Sequence, residues 1–168
     1  QEILKFKIKN METKENSGSI LDLAKETVSS LTEKVLDLKD DLFNDEQSEI
    51  LSEFKEAGLV KMKISMEQIS DSLGLLSKSG YDFRGMDISM GIPPSLSTVF
   101  LYEKEISEEE RIKLQEEAKG KRIVEIILKC LFKANEFYHS VNIGNYKIDK
   151  VKITLGLSPG MSLSFDKK

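Results

Sequence analysis

The chain has 168 residues, of which 39% are apolar and 32% charged, and its formal net charge at neutral pH is −4. This length and balance predict one domain spanning residues 1–168, with a real apolar core, and argue against a disordered chain. No apolar run approaches the ~18 residues of a membrane span. The acidic balance gives no general attraction to nucleic acid or anionic lipid.

A single cysteine, Cys130, excludes an internal disulfide, which slightly favours a reducing compartment such as the cytoplasm. The sequence starts at Gln1 without a basic region followed by an apolar stretch. A removed leader and a truncated start are therefore both open, and the localisation is unknown.

The N-terminal half predicts strands and helices in alternation. Residues 4–8 alternate apolar side chains with lysines, as a half-buried edge strand does. Apolar residues at steps of three or four then predict a long helix over 20–42 and another helix from about residue 44 to Gly58. A short strand over 59–64 follows. The next helix begins at Ser65 as N-cap and ends at Gly80.

The segment that follows residue 102 predicts two helices. Ser107 and Glu110 have the spacing of a capping box, and Gly120 is expected to kink or divide the helix. Beyond Gly120, apolar residues leave only a narrow polar stripe as far as Val141. This pattern predicts the most buried helix of the chain, lying across the sheet.

Two stretches of the chain align without a gap, residues 81–100 with residues 146–165. Both alternate apolar and polar side chains around a Pro-containing turn, and both are predicted to be antiparallel hairpins. The identical pairs are Tyr81/Tyr146, Ile88/Ile153, Gly91/Gly156, Pro94/Pro159, Ser97/Ser162 and Phe100/Phe165.

These elements predict an α+β fold. One mostly antiparallel sheet of five to six strands is covered on one face by the helices. The aligned stretches favour an internal repeat of a helix–hairpin unit, with copies at about 44–102 and 107–166. Convergence on one hairpin type is the alternative.

The sequence predicts no catalytic residue, metal site or cofactor. Cys130 and His139, the only cysteine and histidine, are nine residues apart on one predicted helix and cannot form a dyad. One residue of each type cannot supply a typical zinc site, and the acidic run at 37–46 lacks the EF-hand spacing. Phosphate-binding glycine motifs are absent.

A weak echo of a helix-turn-helix at residues 47–79 raises DNA binding as one alternative function. The recognition helix should follow residue 79, where glycines and prolines oppose a helix. We therefore expect no nucleic-acid partner.

The leading hypothesis is a non-enzymatic protein–protein interaction module that binds another protein or a second copy of itself. Val99 and Leu101 are the predicted interaction surface, because they occupy the places of the polar Ser164 and Asp166 in the other hairpin. Large apolar side chains on the face of a strand that points away from the core are expected to be buried by another part of the same chain or by a partner.

The other alternative is a small-molecule or lipid-binding domain with a pocket between sheet and helices. Thioethers adapt to irregular ligands, so the methionines would line this pocket. They are Met62, Met66, Met86, Met90 and Met161.

Overall fold

The structure is a computed structural model that describes residues 32–38, 40–43, 45–91, 94–141, 144–156 and 158–168, with residues 45–57 described as backbone. The strand predicted at 4–8 and the start of the helix predicted at 20–42 lie outside the described residues. In chain order the elements are α1 (residues 32–38 and 40–42), α2 (Asp45–Asp71), α3 (Leu73–Leu76), a 3-10 turn (Ser77–Ser79), β1 (Tyr81–Ser89), β2 (Ser95–Tyr102), α4 (Glu108–Glu117), α5 (Arg122–Ser140), β3 (Tyr146–Gly156) and β4 (Gly160–Lys167).

The fold is α+β, as predicted, with a four-stranded antiparallel sheet in the described part of the chain. The strand order is β1-β2-β3-β4, and each strand pairs antiparallel with its neighbour. The two hairpins therefore lie side by side, joined through β2 and β3, while α4 and α5 form the connection between them. The predicted number of five to six strands is not confirmed.

The strand predicted at 59–64 is wrong, because these residues belong to α2. Buried side chains follow helical steps from Met62 through Ser65 to Ile69, whereas Val60 is 66% exposed. The Ser65 hydroxyl donates to the Lys61 carbonyl inside this helix, so Ser65 is not an N-cap either. The backbone does leave the helical conformation at Gly58, at φ 48°, but the helix resumes beyond it.

Gly80 ends the helical segment, as predicted, and it adopts the left-handed conformation at φ 86°. Its carbonyl oxygen accepts hydrogen bonds from the amides of Glu103 and Lys104, at 2.9 and 3.1 Å. These bonds hold the segment that leaves β2 against the start of β1.

The capping box at the start of α4 is confirmed. The Ser107 hydroxyl accepts from the Glu110 amide at 3.2 Å, and the Ser107 amide donates to the Glu110 carboxylate at 2.8 Å. The hydrogen bond from the Ser107 amide, followed by one from the Ser107 side chain, lowers the pKa of the Glu110 carboxyl group. Gly120, at φ 86°, separates α4 from α5, as its position predicted.

Helix α5 carries most of the helical core. Both α5 and α2 pack against the sheet at β3. The buried residues of α5 are Ile123, Val124, Ile126, Ile127, Leu128, Cys130, Leu131, Phe132, Ala134, Asn135 and Phe137.

The two hairpins share one pairing register. Phe83 lies opposite Phe100 in the first hairpin, as Ile148 lies opposite Phe165 in the second. Each hairpin has an irregularity directly after this pair, between residues 83 and 85 and between residues 148 and 150. These bulges fall at equivalent positions of the sequence alignment. Duplication of the whole helix–hairpin unit stays a prediction.

A buried hydrogen bond joins β1 to α5. The Tyr81 hydroxyl donates to Asn135 Oδ1 at 2.6 Å, with the Leu131 carbonyl oxygen 3.3 Å away. Burial, followed by the nearby Tyr102, raises the pKa of Tyr81, so this phenol is the neutral donor. Asn135 Nδ2 has no partner among the described residues.

Replacing Tyr81 by Phe is expected to lower the free energy of unfolding by about 1–3 kcal/mol, because Asn135 then loses its buried donor. The double variant Tyr81→Phe/Asn135→Leu should recover most of this loss, since it removes both polar partners. Urea unfolding of the three proteins measures the difference. A double variant less stable than Tyr81→Phe alone would contradict the assignment.

Candidate functional site

The sheet has one buried face. In β2, Leu96, Thr98 and Phe100 are fully buried, and in β3 Val151 and Ile153 are buried beside them. Successive side chains of a strand point to opposite faces, so these residues define the inner face, which packs on the helices.

The opposite side of the sheet, here called the outer face, is formed by the residues that alternate with this buried set. Directly opposed residues on neighbouring strands share a face, so the pairing register places each of them in a row. From β1 to β4 the rows are Asp82–Leu101–Lys150–Ser164, Gly85–Val99–Lys152–Ser162, Asp87–Ser97–Thr154–Gly160 and Ser89–Ser95–Gly156.

Val99 and Leu101, the predicted interaction residues, lie together in the middle of the outer face. Both are half-buried, and neither packs against the core of the described residues. Lys152 lies directly opposite Val99, and Lys150 opposite Leu101. Lysine stems can lie along apolar neighbours while the ammonium groups stay in water. The outer face therefore has an apolar centre beside exposed cations.

Charge on the outer face is ordered by strand. On β1 the side chains are acidic, Asp82 and Asp87, whereas on β3 they are basic, Lys150 and Lys152. Asp82 is partly compensated by Arg84 Nη1, 3.0 Å from its carboxylate. The other three charges form no ion pair with another described residue. The apolar pair of β2 thus separates an acidic column from a basic one.

Apart from the row formed by Lys147 and Asp166, small side chains make up the rest of the outer face. The Ser97 and Thr154 hydroxyls are hydrogen-bonded across β2 and β3 at 3.1 Å. Around them stand Gly85, Gly156 and the serines of β4. Because these positions lack bulky side chains, another backbone or sheet can approach this part of the outer face closely.

The predicted methionine pocket is not brought together in one described groove. Met62 and Met161 are buried in the core, whereas Met90 is 71% exposed. Met66 and Met86 are half-buried against the core. One described groove, of about 430 Å³, has Ile106 and Leu114 among its lining and contains no methionine. The second, of about 190 Å³ between α1 and α5, contains none either.

Cys130 and His139 lie apart, as their spacing on one helix predicted. Burial raises the pKa of the Cys130 thiol to about 12, so the thiolate nucleophile is disfavoured. His139 lies near the C-terminal end of α5, where its Nε2 is 3.0 Å from Glu105 Oε1.

Sequence reasoning missed a polar cluster around Arg111. The Arg111 guanidinium lies 3.6 Å from Glu105 and 5.6 Å from the centre of the Phe132 ring. Burial, followed by Glu105, raises the pKa of the neighbouring Tyr102. Because the cluster joins the loop after β2 to α4 and α5, no local pattern could have revealed it. Its contacts tie this loop to the helices.

Residues 47–79 do not form a helix-turn-helix with a recognition helix in the expected place. They belong to the kinked helix α2, the single turn of α3 and a 3-10 turn, and the chain then enters β1. In the acidic run, Asp41 lies 3.7 Å from Lys133. Within the described ranges, no group of three acidic, histidine or cysteine side chains could hold a metal ion.

The chain matches no known family model, and comparison with curated proteins and with solved structures found no significant match. Among the helices that the structure describes, none is long and apolar enough to cross a bilayer.

Proposed function

We propose that the protein is a non-enzymatic interaction module that binds another protein through the outer face of its sheet. The observation that carries the proposal is the placement of Val99 and Leu101. Both are half-buried at the centre of an otherwise polar face. Large apolar side chains at the centre of an exposed surface are typical of interfaces, where a partner removes them from water.

The second hairpin provides an internal comparison for this surface. The position of Val99 corresponds to Ser164, and the position of Leu101 to Asp166, both of which are exposed. The inner faces of the two hairpins are apolar alike, so the fold requires apolar residues there. It does not require them on the outer face, which favours a role in binding for Val99 and Leu101.

The chemistry of the candidate nucleophile and base also favours binding over catalysis. Cys130 is fully buried, and His139 is paired with Glu105 near the end of a helix. Neither residue lines either of the two described grooves.

The shared register of the two hairpins supports a duplication of one helix–hairpin unit. The first unit comprises α2, α3, β1 and β2, and the second comprises α4, α5, β3 and β4. Equivalent bulges after Phe83 and Ile148 favour common descent, since a bulge requires an additional residue at one place in the strand. On this proposal, the outer face of the first copy has diverged toward binding.

Replacing Val99 by Ser and Leu101 by Asp, which copies the second hairpin, is expected to weaken association and leave the fold intact. The free energy of unfolding should fall by about 1–2 kcal/mol, because both side chains are only half-buried in a strand. Sedimentation velocity and thermal unfolding test the two effects separately. Ser164→Ala on the same face is the matched control and should change neither the association nor the stability.

Loss of folding of the Val99→Ser/Leu101→Asp variant at low protein concentration would contradict the proposal. That result would mean that residues of the same chain bury Val99 and Leu101, and that the outer face is part of the core.

A further inference from the structure

We infer that the partner on the outer face is a second copy of the same chain, related by a two-fold axis that runs parallel to β2. The inference rests on the proposed function and names the partner of that surface. It follows from the order of the three columns, which are acidic on β1, apolar on β2 and basic on β3.

A two-fold axis above β2 and parallel to it exchanges the two outer columns. Neighbouring strands are about 4.8 Å apart, so β1 and β3 lie at equal distances on either side of β2. Rotation about this axis places β2 of one copy over β2 of the other. It also places the acidic column of each copy over the basic column of its partner. The interface is self-complementary, as a two-fold interface requires.

The rows of the sheet remain at the same level under this rotation. Leu101 meets the second copy's Leu101, and Asp82 meets the second copy's Lys150, because all three positions belong to one row. Val99 meets the second copy's Val99 in the next row. Asp87 of one copy lies one row away from the second copy's Lys152, which is within reach of it across the interface.

Charge excludes the other two-fold arrangement of the same faces. An axis in the plane of the interface but perpendicular to the strands would place β1 over β1 and β3 over β3. Aspartates would then face aspartates, and lysines would face lysines, which opposes association. Only the axis parallel to β2 places the apolar columns against each other and each acidic column against a basic one. Twisted sheets pack face to face with their strands within about 30° of each other, which this arrangement allows.

The deciding experiment reverses one column at a time. Asp82→Lys/Asp87→Lys makes both columns basic, and Lys150→Glu/Lys152→Glu makes both acidic. Each variant alone is expected to self-associate at least roughly tenfold more weakly than the unmodified chain, because like charges then face each other. An equimolar mixture of the two variants should regain the mass of a dimer in sedimentation velocity. In the mixed pair, each basic column faces an acidic one.

Cross-linking provides a second readout that leaves the charges unchanged. Val99→Cys lies beside the proposed axis, and a short bis-maleimide should join two copies through it. Ser162→Cys lies two strands away from Val99, so its copies are roughly 20 Å apart across the axis and should not be joined. Both thiols belong to the same face and the same row, so they form a matched pair.

Three results would overturn the inference: an unmodified chain that stays monomeric at high concentration, a mixture of reversed variants that stays monomeric, or cross-linking of the Ser162→Cys variant rather than the Val99→Cys variant. The rate at which a maleimide labels the dilute Val99→Cys variant then distinguishes failure of the dimer inference from failure of the proposed function. Rapid labelling would show that the outer face is accessible, so the proposed function would stand with a different protein as the partner. Protection in the monomer shows that the chain itself covers the face, and both proposals fail.

Discussion

Gly80→Ala is expected to be among the most destabilising single substitutions in the chain. An alanine Cβ at this position would lie 2.1 Å from the Lys104 carbonyl oxygen, well inside van der Waals contact. This oxygen belongs to the backbone segment that Gly80 itself holds through two hydrogen bonds. The segment therefore cannot move away without breaking those bonds. We expect a loss of more than about 4 kcal/mol in the free energy of unfolding, or no folded protein.

Gly120→Ala is the matched control for this substitution. Gly120 has the same φ of 86°, but an added Cβ there meets nothing within 4 Å. Its replacement should cost about 1–2 kcal/mol, which is the strain of a left-handed conformation alone. Chemical denaturation of both variants gives the difference, which measures the clash at Lys104. Similar losses at the two glycines would show that Gly80 and Lys104 are not in close contact.

Phe100→Ala is expected to lower the free energy of unfolding by about 3–5 kcal/mol. Phe100 is fully buried in an interior strand, and its ring meets the Phe83 ring edge-on, with 5.5 Å between centroids. The strands on both sides and the helices below prevent water from entering the space left by the ring. The cavity therefore stays empty, and its walls lose their contacts.

Phe165 occupies the equivalent place in the second hairpin and serves as the control for Phe100. It lies opposite Ile148 on β4, the outermost strand of the sheet in the described residues, is half-buried and lies 6.2 Å from the Tyr138 ring. Because solvent already reaches this side chain, Phe165→Ala should cost roughly half as much as Phe100→Ala. Denaturant unfolding compares the two variants. An equal or larger loss at Phe165 would mean that the main core lies under the second hairpin instead.

Errors in the sequence-based prediction arose where two periodicities fit the same residues. Between residues 59 and 64, Val60, Met62 and Ile64 alternate with lysines, as in a strand. A stripe that begins at Met62 also continues at helical spacing to Ile69. Packing decided between them: the helix buries Met62, Ser65 and Ile69 together and leaves Val60 and Ile64 exposed. Which of two apolar faces meets the core is not a local property of these six residues.

By itself, the sequence determined the features whose interactions span only a few residues. Local hydrogen bonds and backbone preferences set the Ser107–Glu110 capping box, the break at Gly120, the helix end at Gly80 and both hairpins. The tertiary structure alone decided that β2 pairs with β3 across two intervening helices. That pairing places the lysines of β3 beside Val99 and Leu101 and orders the outer face into acidic, apolar and basic columns. Its register follows from burying the inner faces of both hairpins beneath the same helices, a requirement that no short segment of the chain contains.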